Sequence, residues 1–260
     1  MSSSDAVINL AGASIFGKWT PRRKRQIMES RAESTANVVA ALSRRAGPPA
    51  VLLSASAVGY YGFRDDEELD EKGAPGDDFL AQVTRRWEET ALQAAENGHR
   101  VILARFGLVL GETGGTLGQM VPLYKFGLGG PLGDGRQWFS WIHIDDLAAA
   151  VLFLVGRGDI SGPVNVCAPN PVRNRDLAKA LGRTLRRPSF LRAPAFAIRL
   201  LLGEFGTVVL KGQRVVPRRL LEAGFGFRFP SLEVALADLL NGTRRRNGRR
   251  QGPKPRPRPD

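Results

Sequence analysis

Residue types able to do chemistry gather at a few places in this 260-residue chain. Gly12, beside the small Ala11, ends the apolar run Ala6-Val7-Ile8-Asn9-Leu10, where a backbone without side chains lets a ligand come close. Ser54 and Ser56 close a second apolar run, with Tyr60 and Tyr61 just beyond. Serines at such a strand end either hydrogen-bond a ligand or pack under a crossing helix. The two phenols either line a crevice or move protons, and a phenol of pKa about 10 does the latter poorly unless a cation stands beside it. Arg105 and Gly107 end a third apolar run, where a guanidinium could hold a phosphate or carboxylate, or equally an ion pair or helix cap. His143 and Asp145 precede a further apolar stretch; Asp145 has the chemistry of a helix N-cap, and His143 then reads as structural.

These groups need a scaffold that holds strand ends together. Thr20-Pro21 opens a helix to about residue 45, with Ile27, Arg31, Thr35, Val38, Val39 and Leu42 on one face, and Gly47-Pro48-Pro49 breaks it. Strand, helix, strand is the right-handed crossover unit. A second helix starts at Asp77 or Asp78, buries Phe79, Val83, Trp87, Thr90, Ala91 and Ala94, and closes at Gly98. Val101 to Arg105 is the third strand, and a helix near residues 117–126 lies in a glycine-rich stretch from Gly107 to Gly135. An apolar helix capped by Asp145 leads to a fourth strand, Pro163 to Cys167, and further helices follow near residues 173–185, 194–202 and 231–240. The expected fold is α/β, an incomplete doubly wound (Rossmann-like) parallel sheet over residues 1–170 with a small, mostly helical cap over 171–240. Residues 241–260, rich in Arg, Gly and Pro, are expected to stay disordered.

Composition narrows the function classes. The net charge of +13 suggests nucleic acid, but residues 244–260 alone carry +7, and no aromatic residue is interleaved there for base stacking, so nucleic acid is not expected as a partner. One cysteine excludes an intrachain disulfide, and two histidines without a Cys/His cluster argue against a metal site. There is no signal-like start and no apolar stretch of membrane-spanning length, so a soluble cytoplasmic protein with no membrane partner is expected.

Four motifs taken together resemble the extended short-chain dehydrogenase/reductase (NAD-dependent epimerase/dehydratase-like) superfamily, and within it the epimerase family proteins. They are Asn9-Leu10-Ala11-Gly12, the run from Ser54 to Gly62, Arg105-Phe106-Gly107-Leu108-Val109-Leu110-Gly111, and Trp141-Ile142-His143-Ile144-Asp145-Asp146-Leu147. Residues 212–217 and 222–225 resemble that group's C-terminal cap. The resemblance implies NADP or NAD as cofactor, with Ala11, Gly12, Ser54, Arg105 and Gly107 on the cofactor side. It implies a catalytic Ser56, and a substrate-side loop that includes Arg136 and Trp138. The superfamily also uses a Tyr four residues before a Lys on one helix face. That pair is absent: Tyr60 is followed at that distance by Arg64, Tyr61 by Asp65 and Tyr124 by Leu128, while the matching helix positions fall near Phe79 or Leu80 and Val83 or Thr84. Tyr60 and Tyr61 are the candidates to replace it. The implied activity is that of an NAD(P)-dependent epimerase or oxidoreductase on a small molecule, and the alternative is a non-catalytic binding protein.

In that superfamily a strand, a glycine-rich turn and a helix come before the Asn-Leu-Ala-Gly strand, and no such fingerprint precedes Asn9. Two crossover units, roughly 60 residues, are therefore expected to be missing from a truncated copy, so dinucleotide binding by this chain alone is doubtful. The strand at Val7–Leu10 is expected to present an open edge to a second chain or a second copy.

Overall fold

The computed structural model describes residues 4–112 and 114–250, with residues 242–250 by backbone alone. Strand β1 (Ala6–Asn9) leads to helix α1 (Pro21–Ser43), where Thr20 Oγ1 accepts the Arg23 N–H at 3.1 Å and Pro21 fills a position that needs no N–H. β2 (Val51–Ala57) continues through a 3-10 turn at Val58–Tyr61 and the short β3 (Glu68–Leu69) to α2 (Phe79–Leu92). Asp78 caps α2, accepting the N–H groups of Leu80 and Ala81 at 2.9 and 3.1 Å. After a left-handed Gly98 (φ 77°) the chain returns as β4 (Arg100–Phe106). Next come β5 (Leu108–Leu110), α3 (Gly115–Lys125), β6 (Trp138–Phe139), β7 (Trp141–His143), α4 (Ile144–Gly156) and β8 (Gly162–Val166).

β1, β2, β4 and β8 form one parallel sheet in that order, the four strands expected from the apolar runs. Its side chains alternate between two helical layers: Leu52, Val101 and Leu103 pack with Val39 and Leu42 of α1, whereas Leu53, Ile102 and Ala104 pack with Ala150 and Leu154 of α4. Burial on both faces is why these strands read as continuous apolar runs. β1 is an edge that pairs only with β2 among the described residues, and Ile8 within it and Leu10 just after it are exposed.

The cap consists of β9 (Val172–Arg173), α5 (Asn174–Leu185), α6 (Ala195–Leu202), α7 (Glu204–Leu210), β10 (Arg214–Val215), α8 (Arg218–Glu222) and α9 (Leu232–Arg250). Leu177 and Leu181 of α5 and Leu236 and Leu239 of α9 share a core with Leu117, Tyr124 and Trp141. Short ladders that no sequence pattern announces tie the cap to the sheet region, β10 to β3 and β6 to β9, and a third, β5 to β7, lies within residues 108–143.

Two expectations change. The cap of α4 is His143 rather than Asp145: its Nδ1 accepts the Asp145 N–H at 3.0 Å. Asp146, next along, is buried and accepts the N–H groups of Arg228 and Phe229 at 3.0 and 2.9 Å, so both carboxylates sit in the first turn, where the helix dipole favours them. The tail expected to be disordered from residue 241 is helical to Arg250. Residues 251–260 of that tail lie outside the described residues. No helix among the described residues is long and apolar enough to cross a membrane.

Candidate active site at the strand ends

The register of the sheet places Ser56, Arg105 and Asn165 side by side on β2, β4 and β8, near the carboxyl ends of the strands. Helix α2 adds Glu88, the turn after β2 adds Tyr61, and all of these side chains are buried. Ser56 Oγ donates to Glu88 Oε1 at 2.6 Å, and Arg105 donates through Nε and Nη2 to the two Glu88 oxygens, both at 2.8 Å. Arg105 Nη1 donates to Tyr61 Oη at 3.0 Å, and that hydroxyl donates to Asn165 Oδ1 at 2.7 Å. Beyond Asn165, the buried Glu71 accepts the N–H groups of Asn165 and Arg219 at 3.0 and 3.2 Å. A charged pair survives such burial only with its hydrogen bonds satisfied, and the two-pronged Arg105–Glu88 contact satisfies them.

Charge states follow from this wiring. Burial works against the Arg105 charge, but its bonds to Glu88 and Tyr61 outweigh it and hold the guanidinium above its ordinary pKa. Burial pushes the Tyr61 phenol well above the usual tyrosine value despite the opposing pull of Arg105. Tyr61 is therefore a neutral strut between Arg105 and Asn165.

Its neighbour differs. Tyr60 is half-buried, with the Arg105 guanidinium carbon 3.4 Å from its ring centroid, and its ring meets that of Tyr61 edge-on at 5.4 Å. Its hydroxyl makes no hydrogen bond to any described residue. The cation beside this ring is thus Arg105, which stands over the ring face while its nitrogens bond to Glu88 and Tyr61.

The face of α2 where a Tyr/Lys pair was sought carries Leu80, Thr84 and then Glu88, successive positions four residues apart. Leu80 packs over Gly59, where an added Cβ would lie 3.4 Å from the leucine Cβ. Thr84 is buried and gives its hydroxyl proton to the helix carbonyls of Leu80 and Ala81.

The remaining candidates fall at separate places. Ala11 and Gly12 lie on an exposed loop after β1; Asn9 Oδ1 accepts the Ala11 N–H at 3.2 Å, and the guanidinium of Arg31 lies over Gly12, 3.0 Å from where a Cβ would be. Ser54 is buried and bonds weakly to the Ala55 carbonyl at 3.3 Å. Gly107 is buried at a chain crossing, where a Cβ would stand 2.9 Å from the Ser140 carbonyl oxygen. Arg136 is exposed, while Trp138 donates to Asp66 at 2.8 Å and is covered by Arg173, whose guanidinium carbon is 3.9 Å from the ring centroid. The spacing G-x-x-G-x-x-G does occur at Gly127, Gly130 and Gly133, but after helix α3 rather than after a strand. There a Cβ on Gly130 would meet the Leu191 carbonyl oxygen at 2.0 Å, so that glycine serves chain packing. A cavity of about 590 Å³ lined by Gly111, Gly115, His143, Asp145, Arg228 and Asp238 shares no residue with the buried row.

A parallel sheet with helices on both faces and polar groups gathered at its strand ends is a doubly wound α/β domain, the class that binds ligands at that end. Residues 1–167 match the NAD dependent epimerase/dehydratase family, and the chain belongs to it. Residues 193–239, in the cap, match a domain of unknown function (DUF1731). The chain is 45 % identical to the epimerase family protein SDR39U1 homolog, chloroplastic, of Arabidopsis thaliana, over 92 % of this chain and 70 % of that one. It is 41 % identical to epimerase family protein YfhF of Bacillus subtilis (strain 168), over 91 % of this chain and 78 % of that one. The crystal structure of human epimerase family protein SDR39U1 (isoform 2) with NADPH superposes with a TM-score of 0.89 at 33 % identity, covering 93 % of this chain and 83 % of the human one.

Proposed function

We propose that the protein is an NAD(P)-dependent oxidoreductase or epimerase acting on a small molecule that bears a hydroxyl or carbonyl group, with Tyr60 as its proton-transferring residue. The observation that carries this reading is the Tyr60 side chain, held on the Arg105 guanidinium with its hydroxyl free of protein partners. Arg105, itself paired with Glu88, holds the Tyr60 ring by its face and so fixes where the hydroxyl points. Ser56, whose proton goes to Glu88, is then a positioning residue that fixes Glu88 and through it Arg105. Tyr61 holds the other side of the same cation.

The exposed loop of Ala11 and Gly12, with the Arg31 guanidinium over it, fits the phosphates of a dinucleotide approaching the edge of the sheet, and Ser54, Arg105 and Gly107 are assigned to the cofactor side by the family resemblance. The human relative bound to NADPH supports NADP as that ligand, with NAD as the alternative. When bound, the nicotinamide supplies or accepts a hydride. Arg136 and Trp138 belong to the substrate-side loop. The open edge of β1 at Val7–Leu10 is proposed as the place where a further strand, from this polypeptide, a second copy or another chain, pairs. The proposed compartment is the cytoplasm.

A second reading, a nucleotide-binding protein without turnover, is favoured by Leu80 and Thr84, neither of which can transfer a proton near neutral pH. Titration of the full-length protein with NADPH, followed by assays on carbonyl compounds and sugar nucleotides, separates the two. The first predicts saturable binding with turnover; binding alone supports the second.

A further inference from the structure

The cap carries a broad apolar face that nothing among the described residues covers. Residues 129–133 run beside residues 191–193: Leu191 N–H donates to the Gly129 carbonyl at 3.2 Å, Ala193 N–H to Pro131 at 3.0 Å, and Gly133 N–H to Ala193 at 2.9 Å. This pairing sets the end of α3 against the loop that enters α6. Phe126 and Leu128 come from one segment and Phe190 from the other, and the surface continues along α6 through Phe196, Leu200 and Leu201. Phe196 and Leu200 are one helical turn apart. These six side chains are between 59 and 81 % exposed, far more apolar surface in one region than scattered hydrophobic residues explain.

The charge around this face is mostly positive, with Glu112, Asp134, Asp176 and Glu204 at its margins. Lys125, Arg186, Arg187, Arg192 and Arg199 are exposed, and none of them forms an ion pair with a described residue. There is no Asp or Glu in residues 117–133 or in residues 177–203. A second copy of this chain would bring the same cations against themselves. A nucleic acid would satisfy the arginines and stack on phenylalanine, but leaves Leu128, Leu200 and Leu201 without a use. An anionic bilayer satisfies both halves: lipid phosphates meet the arginines and lysine, and acyl chains take the Phe and Leu side chains.

We propose that this face of the cap docks on the surface of an anionic phospholipid bilayer, with Phe126, Phe190, Phe196 and Leu200 entering the boundary between headgroups and acyl chains. The expectation of no membrane partner rests on the lack of a spanning segment, and surface docking needs none. The proposal is independent of the reaction assigned to the strand ends.

The test is co-sedimentation of the full chain with phosphatidylcholine vesicles and with phosphatidylcholine–phosphatidylglycerol vesicles, at low and high salt. Binding is expected only to the phosphatidylglycerol vesicles and should weaken with salt. The variant Phe190→Ser/Phe196→Ser/Leu200→Ser, and separately Arg186→Glu/Arg187→Glu/Arg192→Glu, should each lower partitioning by about tenfold or more, since both apolar burial and charge carry such contacts. The tail arginines attract phosphatidylglycerol by charge alone, so a serine variant that partitions like the parent overturns the proposal, as does a parent that binds neither vesicle. A parent that is dimeric without lipid, with a monomeric serine variant, assigns the face to a second copy. Polyglutamate binding that the serine variant weakens as much assigns it to an acidic protein. Either result overturns lipid docking.

Discussion

The guanidinium carbon of Arg105 lies 3.4 Å from the centroid of the Tyr60 ring, and the same guanidinium holds both carboxylate oxygens of Glu88. One buried cation therefore serves a structural anion on one side and a half-buried phenol on the other. Adjacent tyrosines with the same chemistry acquire different tasks, because the Tyr61 hydroxyl is enclosed by Arg105 and Asn165 while that of Tyr60 is not.

Removing one partner of the buried pair should be costly. Arg105→Met strands the Glu88 carboxylate, and a loss of ~3–5 kcal/mol in unfolding free energy is expected by chemical denaturation. Arg105→Met/Glu88→Leu should recover part of it, because neither charge is left alone. A single-variant loss below about 1 kcal/mol would mean that the pair is solvated rather than buried.

The two tyrosines should separate cleanly. Tyr61→Phe leaves Asn165 Oδ1 and an Arg105 N–H without their partner and should cost ~1–3 kcal/mol. Tyr60→Phe removes a hydroxyl that bonds to no described residue, so its stability should stay within about 0.5 kcal/mol of the parent. Equal melting shifts for the two variants would contradict this division.

Gly12 tests the nucleotide surface. A side chain there meets Arg31, whose Nη1 bonds to the Ala13 and Ile27 carbonyls at 3.0 Å, so Gly12→Leu should cost about 1–2 kcal/mol. It should nonetheless fill the loop surface and weaken NADPH binding by about tenfold or more, read by fluorescence titration. Unchanged affinity would remove Gly12 from the cofactor side.

Burial lowers the His143 pKa below the ordinary histidine value, and the carboxylates of Asp145, Asp238 and Asp146 oppose this without reversing it. The unfolded chain then takes up its proton at higher pH than the folded one. Stability should fall as pH drops through the unfolded value of about 6.5 and level off below the folded pKa. His143→Asn keeps an oxygen that can cap α4 but no longer titrates, so its denaturation midpoint should vary less with pH over this window. A parallel pH profile in both proteins would assign the dependence elsewhere.

The four sheet strands were legible because each is a continuous apolar run bounded by Gly, Pro or small residues, as burial on both faces demands. The cap Thr20 was legible from local chemistry alone, and Asp78 as one of two candidates with Asp77. Glu88 was not, because Ser56 and Glu88 are 32 positions apart and meet only when α2 crosses β2. The four-residue spacing from Leu80 through Thr84 reaches Glu88 when it is continued one step further. Tyr61 and Asn165 are 104 positions apart, and no local pattern links them. His143 rather than Asp145 is the cap because α4 already begins at Ile144, one residue before Asp145. The ladders of two or three residues are too short to show a period.

Proton transfer by Tyr60 is tested most directly by NADPH turnover of the full-length protein and its Tyr60→Phe variant, at saturating NADPH, across aldehydes, ketones and sugar nucleotides. The predicted result is turnover of at least one substrate class by the parent, with kcat lower by about 100-fold in Tyr60→Phe and an NADPH Kd within about twofold. Equal turnover by the two proteins, or saturable NADPH binding by the parent with no turnover of any substrate, would contradict it.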